Sequence, residues 1–169
     1  MVSRQELGHL YQRERDRLFT YALSILRDQH LAEDVVQDVF QRLCRHPGEP
    51  RDLQTYVYAC VRNRALDVRQ EARSRETASL EPAEHDSIYS FDGSAPWSGL
   101  LSEERARQVE QAIDQLSEEE REVVVLYVHG ELTFESVASV LKAPLGTVVS
   151  RYRRALVKLR KALGGELSP

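Results

Sequence analysis

The stretch from Thr133 to Leu163, TFESVASVLKAPLGTVVSRYRRALVKLRKAL, leaves the chain few ways to fold. A short apolar helix, a break at Lys142-Ala143-Pro144 and a long basic helix follow one another without a gap. Val137, Ala138 and Leu141 put apolar groups on one face of Thr133–Leu141, and the small Ala138 permits a close helix crossing. Pro144 disfavours helical geometry in the residue before it and suits the first turn of the helix that follows. In that second helix Leu145, Val148, Tyr152, Leu156, Leu159 and Leu163 recur at steps of three and four, so one stripe is expected to bury. Arg151, Arg154, Lys158 and Lys161 form a second stripe beside it. From Pro144 to Leu163 there are six Lys or Arg residues and no Asp or Glu, so the exposed side of the helix is wholly positive. Two helices joined by a tight turn, the second one basic, have the pattern of a helix-turn-helix facing phosphates.

The net charge of -4 looks wrong for such a chain until it is mapped. Residues 1–75 carry a net +2, residues 76–115 a net -7 and residues 116–163 a net +2. The acidity belongs to the middle, which leaves both flanks free to face nucleic acid. No apolar run approaches a membrane span and the N-terminus has no signal-peptide core, so no membrane insertion and a cytoplasmic location are expected. Cys44 and Cys60 lack the paired spacing of a zinc module. Cys44 with His46 offers two metal ligands at most, and reduced, partly buried thiols are the expectation. The scattered histidines form no nucleophile-base pair, and no phosphate-binding glycine loop or carboxylate dyad is present, so neither catalysis nor a cofactor is expected.

The rest of the chain reads as all-α. Leu7, Leu10, Tyr11, Leu18, Tyr21, Ala22, Ile25 and Leu26 place a helix over about Arg4–Arg27, with Arg13, Arg15 and Arg17 outside. A second helix spans about Leu31–Arg45, and His46 to Arg51 is a loop by composition. A third runs from Leu53 to about Arg73, with Tyr56, Val57, Cys60, Val61, Leu66 and Val68 on or near its apolar side. Residues 76–101 have no steady period and read as an acidic linker, although Ile88, Tyr89, Phe91 and Trp97 suit docking on something. Ser102 to Leu116 and Ser117 to Gly130 complete the set, each opened by a plausible serine cap. The expected organisation is two small helical domains, residues 1–75 and 102–169, joined by that linker.

Two separated stretches then carry a resemblance. LAEDVVQDVFQRL (Leu31 to Leu43), followed by a loop and TYVYACVRNRALDVRQ (Thr55 to Gln70), resembles the second conserved region of bacterial sigma factors. LSEEEREVVVLYVHGELTFESVASVLKAPLGTVVSRYRRALVKLRKAL (Leu116 to Leu163) resembles their fourth region. With no third-region domain between them, the chain is similar to the small extracytoplasmic-function class.

That resemblance implies a factor that binds core RNA polymerase, through its clamp helices and flap, and directs it to promoter DNA, with an anti-sigma factor as a further partner. Asp34, Gln37, Asp38, Phe40 and Gln41 match the stretch that grips the clamp helices. Asn63 matches the pocket asparagine that reads a flipped minus-ten base, and His46 to Asp52, which includes Arg51, matches the specificity loop. Tyr56 stands where the family commonly has Trp. Arg62, Arg64 and Arg69 are candidates for the strand's backbone or, equally, surface charges. In the fourth region Thr147, Ser150, Arg151 and Arg154 are candidates for base edges or adjacent phosphates of the minus-thirty-five duplex, and Arg153, Lys158, Arg160 and Lys161 for phosphate contacts or surface charge. The linker matches the segment that threads the polymerase interior, or it docks on the sigma domains. Lys142 replaces the usual turn glycine, which implies a strained or differently shaped turn. A sigma-like decoy that captures an anti-sigma factor, or a plain helix-turn-helix regulator, are the alternatives.

Overall fold

The computed structural model describes residues 2–78 and 103–164. These form two compact units, one before and one after residues 79–102 in the sequence. Among the described residues there is no strand, and the all-α reading holds. The expected linker lies outside the described residues except for 76–78, which close a helix; Ile88, Tyr89, Phe91, Trp97 and the expected cap Ser102 lie outside them too.

In the first unit α1 is Arg4–Leu26, α2 is Gln29–Arg45 and α3 is Leu53–Ala78. Ser3 opens α1 with a capping box: its hydroxyl accepts from the Glu6 N–H at 3.1 Å, while the Glu6 carboxylate accepts from the Ser3 N–H at 2.7 Å. Arg27 stops the helix in the left-handed region at φ 57°. Asp28 at once caps α2, accepting from the Leu31 N–H at 2.9 Å, so α2 begins before the expected Leu31. Asp52 does the same for α3, accepting from the N–H groups of Gln54 at 3.1 Å and Thr55 at 3.4 Å.

The core of this unit is shared by all three helices. Leu7, Leu18 and Tyr21 of α1, Val35, Val39 and Phe40 of α2, and Val57, Tyr58 and Val61 of α3 are buried. Each aliphatic side chain of this kind contributes on the order of 1.5–3 kcal/mol by leaving water. Ala22, Ala32 and Ala65 are wholly buried, and their small size lets the helices approach closely. Two expectations change. On α3 the buried aromatic is Tyr58, whereas Tyr56 is 38% exposed and Cys60, Leu66 and Val68 are half-buried. The inward side of α1 also carries a carboxylate: Glu14 is buried, accepts from the Tyr58 hydroxyl at 3.2 Å, and is paired with Arg13 at 2.9 Å and Arg17 at 3.7 Å.

The second unit contains α4 (Glu103–Asp114), α5 (Glu118–Val124), α6 (Phe134–Leu141) and α7 (Leu145–Ala162). Ser117 and Glu120 form a capping box at the start of α5. Buried Arg121 turns its guanidinium onto carbonyls at and just after the end of α4, those of Ile113 at 3.4 Å, Asp114 at 3.3 Å and Leu116 at 3.2 Å. The helix expected to run on to Gly130 instead widens into a π-helical turn over Val125–His129. Gly130 closes it at an ordinary φ of -72°. Glycine is required there for space, because a Cβ would lie 2.6 Å from the Leu126 carbonyl oxygen. Tyr127 of this turn stacks on Phe134 of α6, with ring centres 4.1 Å apart, and both meet Tyr152 of α7 edge-on at 4.8 Å and 5.3 Å.

Thr133 caps α6 by accepting from the Ser136 N–H at 3.1 Å. Lys142 ends that helix in the left-handed region at φ 52°, and the Ala143 N–H reaches back to the Ala138 carbonyl at 3.1 Å. Pro144 then leads into α7. The turn is therefore the strained left-handed kind, with a lysine bearing a conformation that favours glycine.

Candidate polymerase and nucleic-acid interfaces

The chemistry of α2 follows from which of its sides meet α1 and α3. Asp34, Gln37 and Gln41 stand exposed along one ridge. Phe40 is only 7% exposed and packs edge-on against Tyr11 with ring centres 4.8 Å apart, so it supports the ridge from the core. An open groove of about 520 Å³ runs beside it between α1 and α2, with Leu7, Tyr11, Phe40 and Cys44 on its walls and Gln37 and Gln41 on its lip. Asp38 is half-buried and committed: it pairs with Arg42 of its own helix at 3.0 Å and with Arg64 of α3 at 2.9 Å. Arg64 also reaches Glu71 at 3.4 Å. The expected polymerase residues thus divide into an exposed polar ridge, an aromatic support and an inter-helix ion pair.

On α3 the expected minus-ten residues separate by face. Tyr56, Cys60 and Asn63 follow at steps of four and three and share one side, with Asn63 exposed. Gly48, at φ 65°, brings the preceding loop to this side, since a Cβ on it would lie 3.7 Å from the Tyr56 hydroxyl. His46 and Arg51 of the same loop are exposed. The neighbouring Cys60, together with partial burial, holds the Tyr56 hydroxyl above its ordinary pKa, and burial raises the Cys60 thiol. Both stay protonated at neutral pH, which leaves a neutral hydroxyl and an exposed amide beside an aromatic ring, a suitable set for a splayed base. Arg62 and Arg69 are half-buried on a different side, and Arg64 points to α2.

The burial of α7 corrects the expected apolar stripe. Val148 and Ala155 are buried, and Tyr152 and Leu159 pack with Ala155 against Leu116 and Val124. Leu145 is 44% exposed and Leu156 only half-buried, because the packed line steps through Ala155 rather than through either leucine. The opposite side, 146, 150, 153, 157 and 160, is exposed throughout. It presents Gly146, Ser150, Arg153, Val157 and Arg160, so Arg153 lies at the centre of the outward face. Thr147 and Arg151 are half-buried at its flank, followed by Arg154 and Lys158. Those last two cations turn toward Glu120 on α5: Lys158 donates to its carboxylate at 2.7 Å and Arg154 lies 3.9 Å away.

Sequence reasoning missed Glu120 as the counter-ion of the basic helix, although the Ser117-x-x-Glu120 capping signal was visible. Glu14 and Arg121 left no comparable signal. Among the described residues no group of three or more His, Cys, Asp or Glu is placed to hold a metal ion, and no helix is long and apolar enough to cross a membrane.

These two helical units coincide with known families. Sigma-70 region 2 matches residues 10–75, and sigma-70 region 4 matches residues 112–161. The chain is 30% identical over 161 residues to the ECF RNA polymerase sigma factor SigK of Mycolicibacterium vanbaalenii, covering 91% of this chain and 80% of that protein. It is 27% identical over 157 residues to the ECF RNA polymerase sigma factor SigW of Bacillus subtilis, covering 88% and 84%. Its fold is similar to that of the sigma factor RpoE from Bartonella quintana, solved in complex with the anti-sigma factor NepR, with a TM-score of 0.73, 23% identity and 96% of each chain covered. With both sigma regions in order and a relative matched over most of its length, the chain belongs to the extracytoplasmic-function family of RNA polymerase sigma factors.

Proposed function

We propose that the chain binds core RNA polymerase through the α2 ridge and directs promoter-specific initiation by two separate DNA contacts. The observation that carries this reading is the pairing, in one chain, of a region 2 unit and a region 4 unit whose basic helix has an outward face free of acidic side chains. Residues 1–75 form the polymerase and minus-ten part, 76–101 the linker and 102–169 the minus-thirty-five part. Asp34, Gln37 and Gln41 contact the clamp helices, with Phe40 shaping the ridge and Asp38 bracing it. Asn63 and Tyr56 take the flipped minus-ten base, while His46 and Arg51 set loop specificity and Arg62 and Arg69 hold the strand. Ser150 and Arg153 face the minus-thirty-five groove, flanked by Thr147, Arg151 and Arg154; Lys158 stands apart, its ammonium already bonded to Glu120.

The chain performs no chemistry of its own and acts in the cytoplasm, where the polymerase is. An anti-sigma factor is its regulator. The bound partner in the Bartonella quintana structure supports this, as does the open groove between α1 and α2. Run-off transcription with purified core polymerase tests the reading. A promoter-dependent transcript that is lost in Asn63→Ala is expected, and core binding without any transcript would replace initiation with the decoy role.

A further inference from the structure

Four of the six cations of α7 fall into two groups that the sequence does not separate. Arg153 and Arg160 lie on the outward stripe with Ser150, away from the core. Lys158 and Arg154, one helical turn apart, lean toward α5, where Glu120 occupies the third position of the helix. The Glu120 side chain is 7% exposed, and one of its oxygens accepts both from the Lys158 ammonium at 2.7 Å and from the Ser117 N–H at 3.1 Å. The other oxygen has Arg154 at 3.9 Å.

Removing a partner from a carboxylate this far from water leaves an uncompensated buried charge, so the pair is costly to break. The Lys158 ammonium is therefore held on the side of α7 that faces its own domain. A mobile lysine on a recognition helix acts differently: it adds affinity for every sequence alike, through phosphate and counterion release.

We propose that Glu120 is a positioning residue for the recognition helix. It withholds Lys158, and more loosely Arg154, from the DNA backbone, so that the duplex meets the Ser150 and Arg153 face and sequence-independent binding is kept low. This deepens the reading of the second unit as a duplex reader and rests on it. The gain is in specificity, a difference between two affinities that rises when the indifferent one is reduced.

The test uses holoenzyme assembled from the full chain and core polymerase, with promoter DNA, the same DNA with a scrambled upstream element, and a random-sequence duplex, across a salt series. Wild type is compared with K158Q, E120Q and the double variant E120Q/K158Q. K158Q should change promoter affinity by less than about twofold and leave the salt slope unaltered, because a cation already spent on Glu120 releases no counterions. E120Q should steepen the log-log slope on random sequence by about 0.9 for the released lysine, tighten that binding several-fold at low salt, and so narrow the preference for the promoter. The double variant should return the slope to the wild-type value.

A K158Q slope that flattens by about 0.9 makes Lys158 a phosphate contact and overturns the proposal, even if E120Q fails to fold. So does a folded E120Q whose slope matches wild type, which reduces Glu120 to a helix cap. Wild-type holoenzyme indifferent to scrambling of the upstream element overturns the duplex-reader reading itself. That outcome is distinct from the other two, in which the promoter preference persists.

Discussion

Asp38 of α2 accepts a hydrogen bond from Arg64 of α3 at 2.9 Å, so a residue matched to the polymerase-gripping stretch and one matched to the strand-holding helix form a single ion pair. Asp38 is 34% exposed and Arg64 27%, which shields the pair partly from solvent. It ties the two helices whose outward faces carry the proposed contacts.

The single variants Asp38→Ala and Arg64→Ala should therefore be non-additive in unfolding stability. A coupling of about 0.5–1 kcal/mol is expected for a half-shielded pair. A double-mutant cycle by urea unfolding measures it. Additive losses would mean that Arg42 and Glu71 alone keep the two charges in place.

Tyr58→Phe removes the hydroxyl that donates to buried Glu14 at 3.2 Å. A hydrogen bond to a buried carboxylate is worth about 1.5–3 kcal/mol, and the lower end is expected here because Arg13 and Arg17 also engage it. Urea midpoints provide the check. A variant as stable as the wild type would show that the two arginines satisfy Glu14 unaided.

Lys142→Gly should stabilise the chain. Left-handed backbone costs a side-chain-bearing residue about 1–2 kcal/mol, and glycine returns part of the gain through its freer unfolded state. A net rise of roughly 0.5–1 kcal/mol is expected, with promoter choice unchanged because the substitution alters the turn and not the outward face of α7. Lys142→Val should go the other way, since a β-branched residue tolerates φ 52° less well.

The pH dependence of Glu120 has a definite sign. Burial alone raises its carboxyl, but hydrogen bonds from Lys158 and Ser117 and the charges of Lys158 and Arg154 outweigh it, leaving the group below its ordinary 4.5. A carboxyl lowered on folding stabilises the protein above that ordinary value, and the contribution is lost as pH falls through the folded one. The advantage of wild type over E120Q should thus be full near neutrality and vanish on acidification below 4.5. Glu110, raised by burial and by Asp114, works in the opposite sense, so the informative quantity is the difference between the two proteins across pH. A difference constant with pH would mean that shape rather than charge matters at this site.

Much of the architecture was legible because it is encoded locally. Helical spacing, the cap at Ser117 and the break before Pro144 all act within one or two turns, and the structure follows them. Lys142 in place of the family's usual turn glycine left a strained or a differently shaped turn open, and the structure shows the strained left-handed one, at φ 52°.

Other features depended on pairing across the fold. Periodicity put Tyr56 on the apolar side of α3, yet two positions along the helix decide between solvent and core, and only packing against α1 selects Tyr58. The same ambiguity let Leu145 pass for core, where Val148 and Ala155 do the burying. Glu14 and Tyr58 are 44 residues apart, and Glu120 and Lys158 are 38 apart. Helical spacing reports only neighbours three or four residues away, so it marked Lys158 as one more cation on a basic stripe. The sequence by itself determined an all-helical chain with two sigma regions in order. Only the tertiary structure decided which charges of those regions are paired within the fold, because a buried carboxylate captures whichever cation the fold brings within reach.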